Sequence, residues 1–137
     1  MKRWMISVAA VAMLGVLAGC SGGGKATGPV ETIELTTTGM AFETKEITLE
    51  KGKTYKLVLN NSDSVEHDFS IDKIPAKIVK AGHDDGHGSK KADLHVHADA
   101  GKKESVTFTP TEEGTYTFYC AVIGHKDAGM VGQLVVK

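Results

Sequence analysis

The chain has 137 residues, 41% of them hydrophobic, and a formal net charge of −1. That length holds one domain with a real core and little more. The near-neutral balance argues against a nucleic-acid partner, whose phosphates ask for a basic surface.

Lys2 and Arg3 precede an apolar run, Met5 to Leu17, too short to span a membrane comfortably as a mature helix. This is the shape of a secretory signal peptide. Its end, Leu17-Ala18-Gly19-Cys20, resembles the bacterial lipoprotein cleavage box. The resemblance implies that residues 1–19 are removed and that Cys20 becomes the mature N-terminus and carries lipid. The alternative is an ordinary signal peptide cut after a small residue, with Cys20 incidental. Cleavage takes Lys2 and Arg3 from the 16 basic residues and leaves all 17 acidic ones, so the mature domain is mildly acidic. With Cys20 acylated, Cys120 has no disulfide partner in the chain. A leftover thiol in an exported protein needs another role, and metal ligation is one. Residues 20–29, rich in Gly, read as a flexible tether between lipid and a domain that spans residues 30–137.

From Val30 the hydrophobic period is two. Ile33 and Leu35 alternate with polar neighbours, as do Ile47 and Leu49 before the Lys51-Gly52-Lys53 turn. Tyr55, Leu57 and Leu59 follow, ended by Asn60-Asn61-Ser62-Asp63. Then come Val65, His67, Phe69 and Ile71, later Leu94 and Val96, Val106 and Phe108, Tyr116, Phe118 and Cys120, and last Leu134 and Val136. Short alternating strands between Gly, Asn and Asp clusters predict an all-β sandwich or barrel, one face of each strand in the core. Residues 72–93 break the pattern. Pro75 is placed to open a short helical turn with Ile74 and Ile78 packing beneath it. The stretch His83 to Lys91 reads as a long solvated loop.

The crossing from Cys120 to Met130 carries a thiolate, an imidazole and a thioether at the spacing Cys120-x4-His125-x4-Met130. These soft or borderline donors suit copper over magnesium or calcium. Gly124 and Gly129 each precede a donor, and glycine lets so short a loop bend sharply. A trigonal His2Cys site with a weak axial Met is the blue-copper arrangement, which needs a second histidine. Strand parity selects it. His67 shares a face with Val65, Phe69 and Ile71, and Cys120 shares one with Tyr116 and Phe118, so both point inward. His95 and His97 alternate against Leu94 and Val96 and point outward, and His83 and His87 fall in the loop. The bland reading of His67 is a hydrogen-bonded core histidine, but an inward Cys beside a His/Met loop favours ligation.

Three stretches carry a family resemblance: Glu66-His67-Asp68-Phe69, the run from Phe108 to Cys120, and Cys120-x4-His125-x4-Met130-Val-Gly. They resemble the cupredoxins, or blue copper proteins, with the ligand spacing of the auracyanin, rusticyanin and sulfocyanin branch. The resemblance covers residues 30–137. It implies a Greek-key β-sandwich with one copper buried under one end, His67, Cys120 and His125 equatorial and Met130 axial. It also implies a monomer that shuttles single electrons between redox partners such as cytochromes or copper oxidases, on the periplasmic or outer side of a membrane. One departure is Asp68, where many members have Asn. His125, amid Ala121, Val122, Ile123, Ala128 and Gly129, would be the electron exit and the centre of a docking patch, the alternative being a buried loop. Met40 is expected to fill core near the same pole.

Two other functions compete. A Cys120–His125 nucleophile–base pair would make a thiol enzyme, but no third group orients the histidine and Met130 is left unexplained. Copper storage or delivery would use a second site among His83, His87, His95 and His97, with His95 and His97 sharing a metal on one strand face.

Overall fold

A computed structural model of the protein describes residues 28–84 and 92–137. Cys20, nearly all of the expected tether, the signal segment and His87 lie outside the described residues. The described strands are β1 (Val30–Thr37), β2 (Glu46–Leu49), β3 (Thr54–Asn61), β4 (His67–Ile71), β5 (Ala76–Lys80), β6 (Leu94–Ala98), β7 (Lys103–Pro110), β8 (Gly114–Tyr119) and β9 (Val131–Val136). They form the expected all-β sandwich. A four-stranded sheet, β1-β3-β7-β5, faces a five-stranded one, β2-β9-β8-β4-β6. The pairs β1/β3 and β2/β9 are parallel, and the other ladders are antiparallel.

The alternation read from the sequence builds the core. On β3, Tyr55, Leu57 and Leu59 are buried while Lys56 between them is exposed. On β9, Leu134 and Val136 are buried and Gln133 is not. Phe118 is fully buried, 5.2 Å edge-on from Phe42 and 5.1 Å from Phe69. Edge-on and tilted contacts at these distances add to the apolar area that the rings remove from water.

Two local expectations fail. No helical turn follows Pro75. Ala76–Lys80 is strand β5, which pairs with β7 and so closes an edge of the four-stranded sheet. Ile78 and Val79 are β-branched and suit a pleated strand, and the free edge of β7 offers them hydrogen bonds. A register shift lies between Ile78 and Lys80, so the strand bends there. Ile74 does pack inward as expected, but Ile78 is 40% exposed. Met40 does not fill the core either. It stands at the tip of a turn closed by Thr38 N–H donating to the Ala41 carbonyl, and Phe42 takes the buried position instead.

Each connection between consecutive described strands passes from one sheet to the other, except that from β8 to β9. That single hairpin loop, residues 120–130, is the one carrying Cys120, His125 and Met130. His67 is the first residue of β4, the strand beside β8 in the same sheet.

Candidate metal centre

Cys120 follows the last residue of β8, and its N–H donates to the Met130 carbonyl at 3.1 Å, closing the loop across its base. Met130 N–H in turn donates to the His125 carbonyl at 3.0 Å. Gly124 (φ 84°) and Gly129 (φ 94°) occupy the left-handed region, which a residue with a Cβ enters only at a cost. Both glycines read from the sequence as bending points therefore do bend the chain. The folded loop brings Cys120 Sγ to 3.4 Å from His125 Nδ1. From β4, His67 Nδ1 stands 3.9 Å from the same sulfur. The two imidazole rings lie 5.0 Å apart.

The three donor atoms lie within 4.8 Å of one another. A trigonal ion with bonds of about 2.3 Å to sulfur and about 2.0 Å to nitrogen separates these donors by about 3.7 Å. The two sulfur–nitrogen distances bracket that value, so the donor set fits one ion at its centre. His67 and Cys120 are fully buried, Met130 is too, and His125 is 6% exposed.

Electrostatics bear on the same use in two ways. Burial pushes the Cys120 thiol up to about 11, against the pull of backbone N–H groups at Asp68 and Val122, while the Asp68 and Glu66 charges push further upward. A thiol so placed stays protonated at neutral pH without a cation, and only a metal would make it a thiolate. Burial, then the neighbouring His125, lowers His67, which keeps its imidazole neutral and able to bind a metal.

Residues 30–137 match the profile of the copper binding proteins of the plastocyanin/azurin family. The chain belongs to that family. It is similar to auracyanin-A of Chloroflexus aurantiacus, 32% identical over 98% of this chain and 97% of the relative. It is also similar to a copper-resistant cuproprotein, CopI, of Rubrivivax gelatinosus, 32% identical over 72% of this chain, though it spans only 61% of that relative. Among solved structures, auracyanin A, described as a "blue" copper protein, superposes with a TM-score of 0.63 at 25% identity, over 80% of this chain and 100% of that one.

His95 and His97 do point away from the core between the sheets, but they are not free on the surface. His97 is 1% exposed and its N–H donates to the His83 carbonyl at 2.8 Å, so residues 81–84 lie along β6 and cover it. His95 Nδ1 hydrogen-bonds Ser70 Oγ at 2.8 Å, and His97 Nδ1 hydrogen-bonds Asp68 Oδ1 at 2.7 Å. The two neighbours on one strand face thus have separate partners on β4. His83 is exposed, its ring 6.1 Å from that of His97. The loop expected from the sequence to carry a docking patch is open to solvent at Ile123. Ile123 is 97% exposed, and His125 lines a cleft of about 550 Å³ with Val65, Glu66, Asp99 and Val122.

In the sequence, Asn60 to Asp63 mark only the end of a strand. In the cupredoxin, Asp63 Oδ2 stands 3.1 Å from His67 Nε2, on the side of the ring away from Cys120. Burial pushes the Asp63 carboxyl up, but Gly39 N–H, the Thr37 hydroxyl and His67 outweigh it and hold it below its ordinary value. A carboxylate on the far nitrogen fixes ring orientation and raises the basicity of a metal-binding histidine. Asn61 Nδ2 donates to the carbonyls of Val65, Ala98 and Asp99, tying the start of β4 to the end of β6. A carboxylate four residues before an inward histidine was the available signal.

Proposed function

We propose that this cupredoxin is an exported, membrane-anchored electron carrier whose single copper is held by His67, Cys120, His125 and Met130. The carrying observation is the buried triangle of Cys120 Sγ, His67 Nδ1 and His125 Nδ1. Copper bound there supplies a one-electron couple. The chain's part is to hold its donors still. Cys120 and His125 are fixed by the two-glycine loop, and His67 is fixed by β4 and by Asp63. A rigid donor set needs little rearrangement when an electron arrives or leaves. The buried Phe69 and Phe118 keep water from the sulfur side. His125 reaches the cleft, which Glu66 and Asp99 line with Val65 and Val122, and we read this cleft together with exposed Ile123 as the docking surface for a redox protein such as a cytochrome or a copper oxidase. A thiol enzyme is disfavoured, because a fully buried thiol pushed up to about 11 is a poor nucleophile at neutral pH.

Titration of the apo domain with Cu(II) is expected to develop an intense visible thiolate-to-copper band that saturates at one equivalent and bleaches reversibly on reduction. A colourless product would defeat the reading. Uptake of several labile equivalents would instead favour storage or delivery, a second reading supported by the likeness to a copper-resistant cuproprotein.

Anchoring rests on Leu17-Ala18-Gly19-Cys20 followed by a Gly-rich stretch. Mass spectrometry of the native protein is expected to find Cys20 as the N-terminus, bearing acyl chains. Two or more chains hold a protein stably at a bilayer, so Cys20→Ala should move the domain to the soluble fraction. An unmodified Cys20 on a membrane-bound protein would contradict this.

A further inference from the structure

We propose that Asp68 and His97 form a buried carboxylate–imidazole pair that positions the backbone donor to Cys120 Sγ and fixes a negative charge beside the copper, lowering its reduction potential. The inference rests on the ligand reading above. Asp68 and His97 stand opposite one another across β4 and β6. Their side chains meet at 2.7 Å and are only 2% and 1% exposed.

The outer face of a sheet at an edge strand is normally wet. Here the pair is buried: residues 81–84 run along the edge of β6, with the His97 backbone N–H on the His83 carbonyl, and the His83 ring lies 6.1 Å from that of His97. Gly82 allows this approach. A Cβ at that position would stand 2.5 Å from the His95 carbonyl oxygen and 2.7 Å from Val96 Cβ. The first residues after β5 thus help to cover the pair.

The link to the metal site is one residue long. Asp68 N–H donates to Cys120 Sγ at 3.2 Å, while its carboxylate is held by His97 on the other side. A buried carboxylate is tolerable only when hydrogen-bonded, so the pair restrains both the side chain and the strand that carries the N–H. Reduction brings one electron from an external one-electron donor to the centre. With the imidazole as the neutral ring donating from Nδ1, and Asp99 Oδ1 3.5 Å from its Nε2, the pair keeps a negative charge. Held at low local dielectric on the residue whose N–H meets the sulfur, that charge opposes the added electron and favours the oxidised form.

The test compares copper-loaded variants by redox titration and visible spectrum. Asp68→Asn keeps the size of the side chain and an acceptor for His97 but removes the charge. It should keep the blue band and raise the potential, with at least about a tenfold higher Cu(I)/Cu(II) ratio at fixed ambient potential, which is about 59 mV for one electron. His97→Phe fills the space without a donor and should displace both potential and band. His97→Asn, with an amide N–H near the place of Nδ1, should bring both back towards wild type. An Asp68→Asn protein with an intact band and wild-type potential overturns the proposal. So does His97→Phe with wild-type potential and band, even if its apo form unfolds more easily in denaturant, since the pair would then be merely structural. Should Asp68→Asn not fold, the two His97 variants decide. A wild type without a blue band would instead defeat the ligand reading.

Discussion

Cys120→Ser should extinguish the colour of the copper-loaded domain while leaving the apo fold standing. The intense visible band needs a thiolate bound to Cu(II), and serine offers only an alcohol that stays protonated. Losing the donor itself should weaken Cu(II) binding beyond the roughly 10–100-fold typical of mutating the partners behind a ligand. The apo fold has little to lose. The loop is closed by the backbone of Cys120 and Met130, and a serine hydroxyl would find His125 Nδ1, which stands 3.4 Å from the present sulfur. An apo cost of order 1 kcal/mol is expected for each altered buried hydrogen bond, that with His125 and that from the Asp68 N–H. Absorption during Cu(II) titration and denaturant unfolding of the apo protein measure the two halves. An intense band surviving in Cys120→Ser would place the thiolate chemistry elsewhere.

Phe118→Ala should have the opposite profile, a large loss of stability with the donors left in place. Phe118 is fully buried between Phe42 and Phe69 and lies two residues before Cys120. Truncating a buried phenylalanine costs about 3–5 kcal/mol, part in lost transfer free energy and part in the cavity left behind. Small domains hold only about 5–15 kcal/mol in total, so the apo variant should approach marginal stability. Denaturant midpoints of apo wild type and variant measure this. A change under about 1 kcal/mol would mean that Phe42 and Phe69 collapse into the space, contrary to the usual partial relaxation of cores.

The alternating strands were legible because inward and outward positions obey a period of two, and that period survives folding unchanged. The same parity brought His67 and Cys120 to one pole, and the two glycines of the loop announced its bends. Partner choice was not legible. Nothing in Ile47 or Leu49 says that β2 lies parallel to β9, since alternation specifies a face and not a neighbour. Residues 76–80 were misjudged because Pro75 fits the start of either a helical turn or a strand, and only the open edge of β7 decides. His97 was read as outward, which is true of its direction and false of its environment. A cover supplied by residues 81–84 cannot be inferred from strand parity. Asp63 and Asp68 lay in plain view, but what a carboxylate faces depends on tertiary contacts.

The placement of the donors on one hairpin and one distant strand also orders their assembly. The β8–β9 hairpin is local and can form early, carrying Cys120, His125 and Met130 with it. His67 lies 53 residues earlier and arrives only when β4 docks beside β8, through the Ser70–Tyr119 pairing. The nascent hairpin can therefore offer copper an incomplete set, and only the finished sandwich offers all of it. A ligand that favours the finished form stabilises it by mass action, about 4.1 kcal/mol at a thousandfold excess over its Kd. Copper supply would then govern the lifetime of the protein as well as its colour. Chains made during scarcity would open more often and be cleared by proteases, and the pool of carrier would track the metal available to fill it.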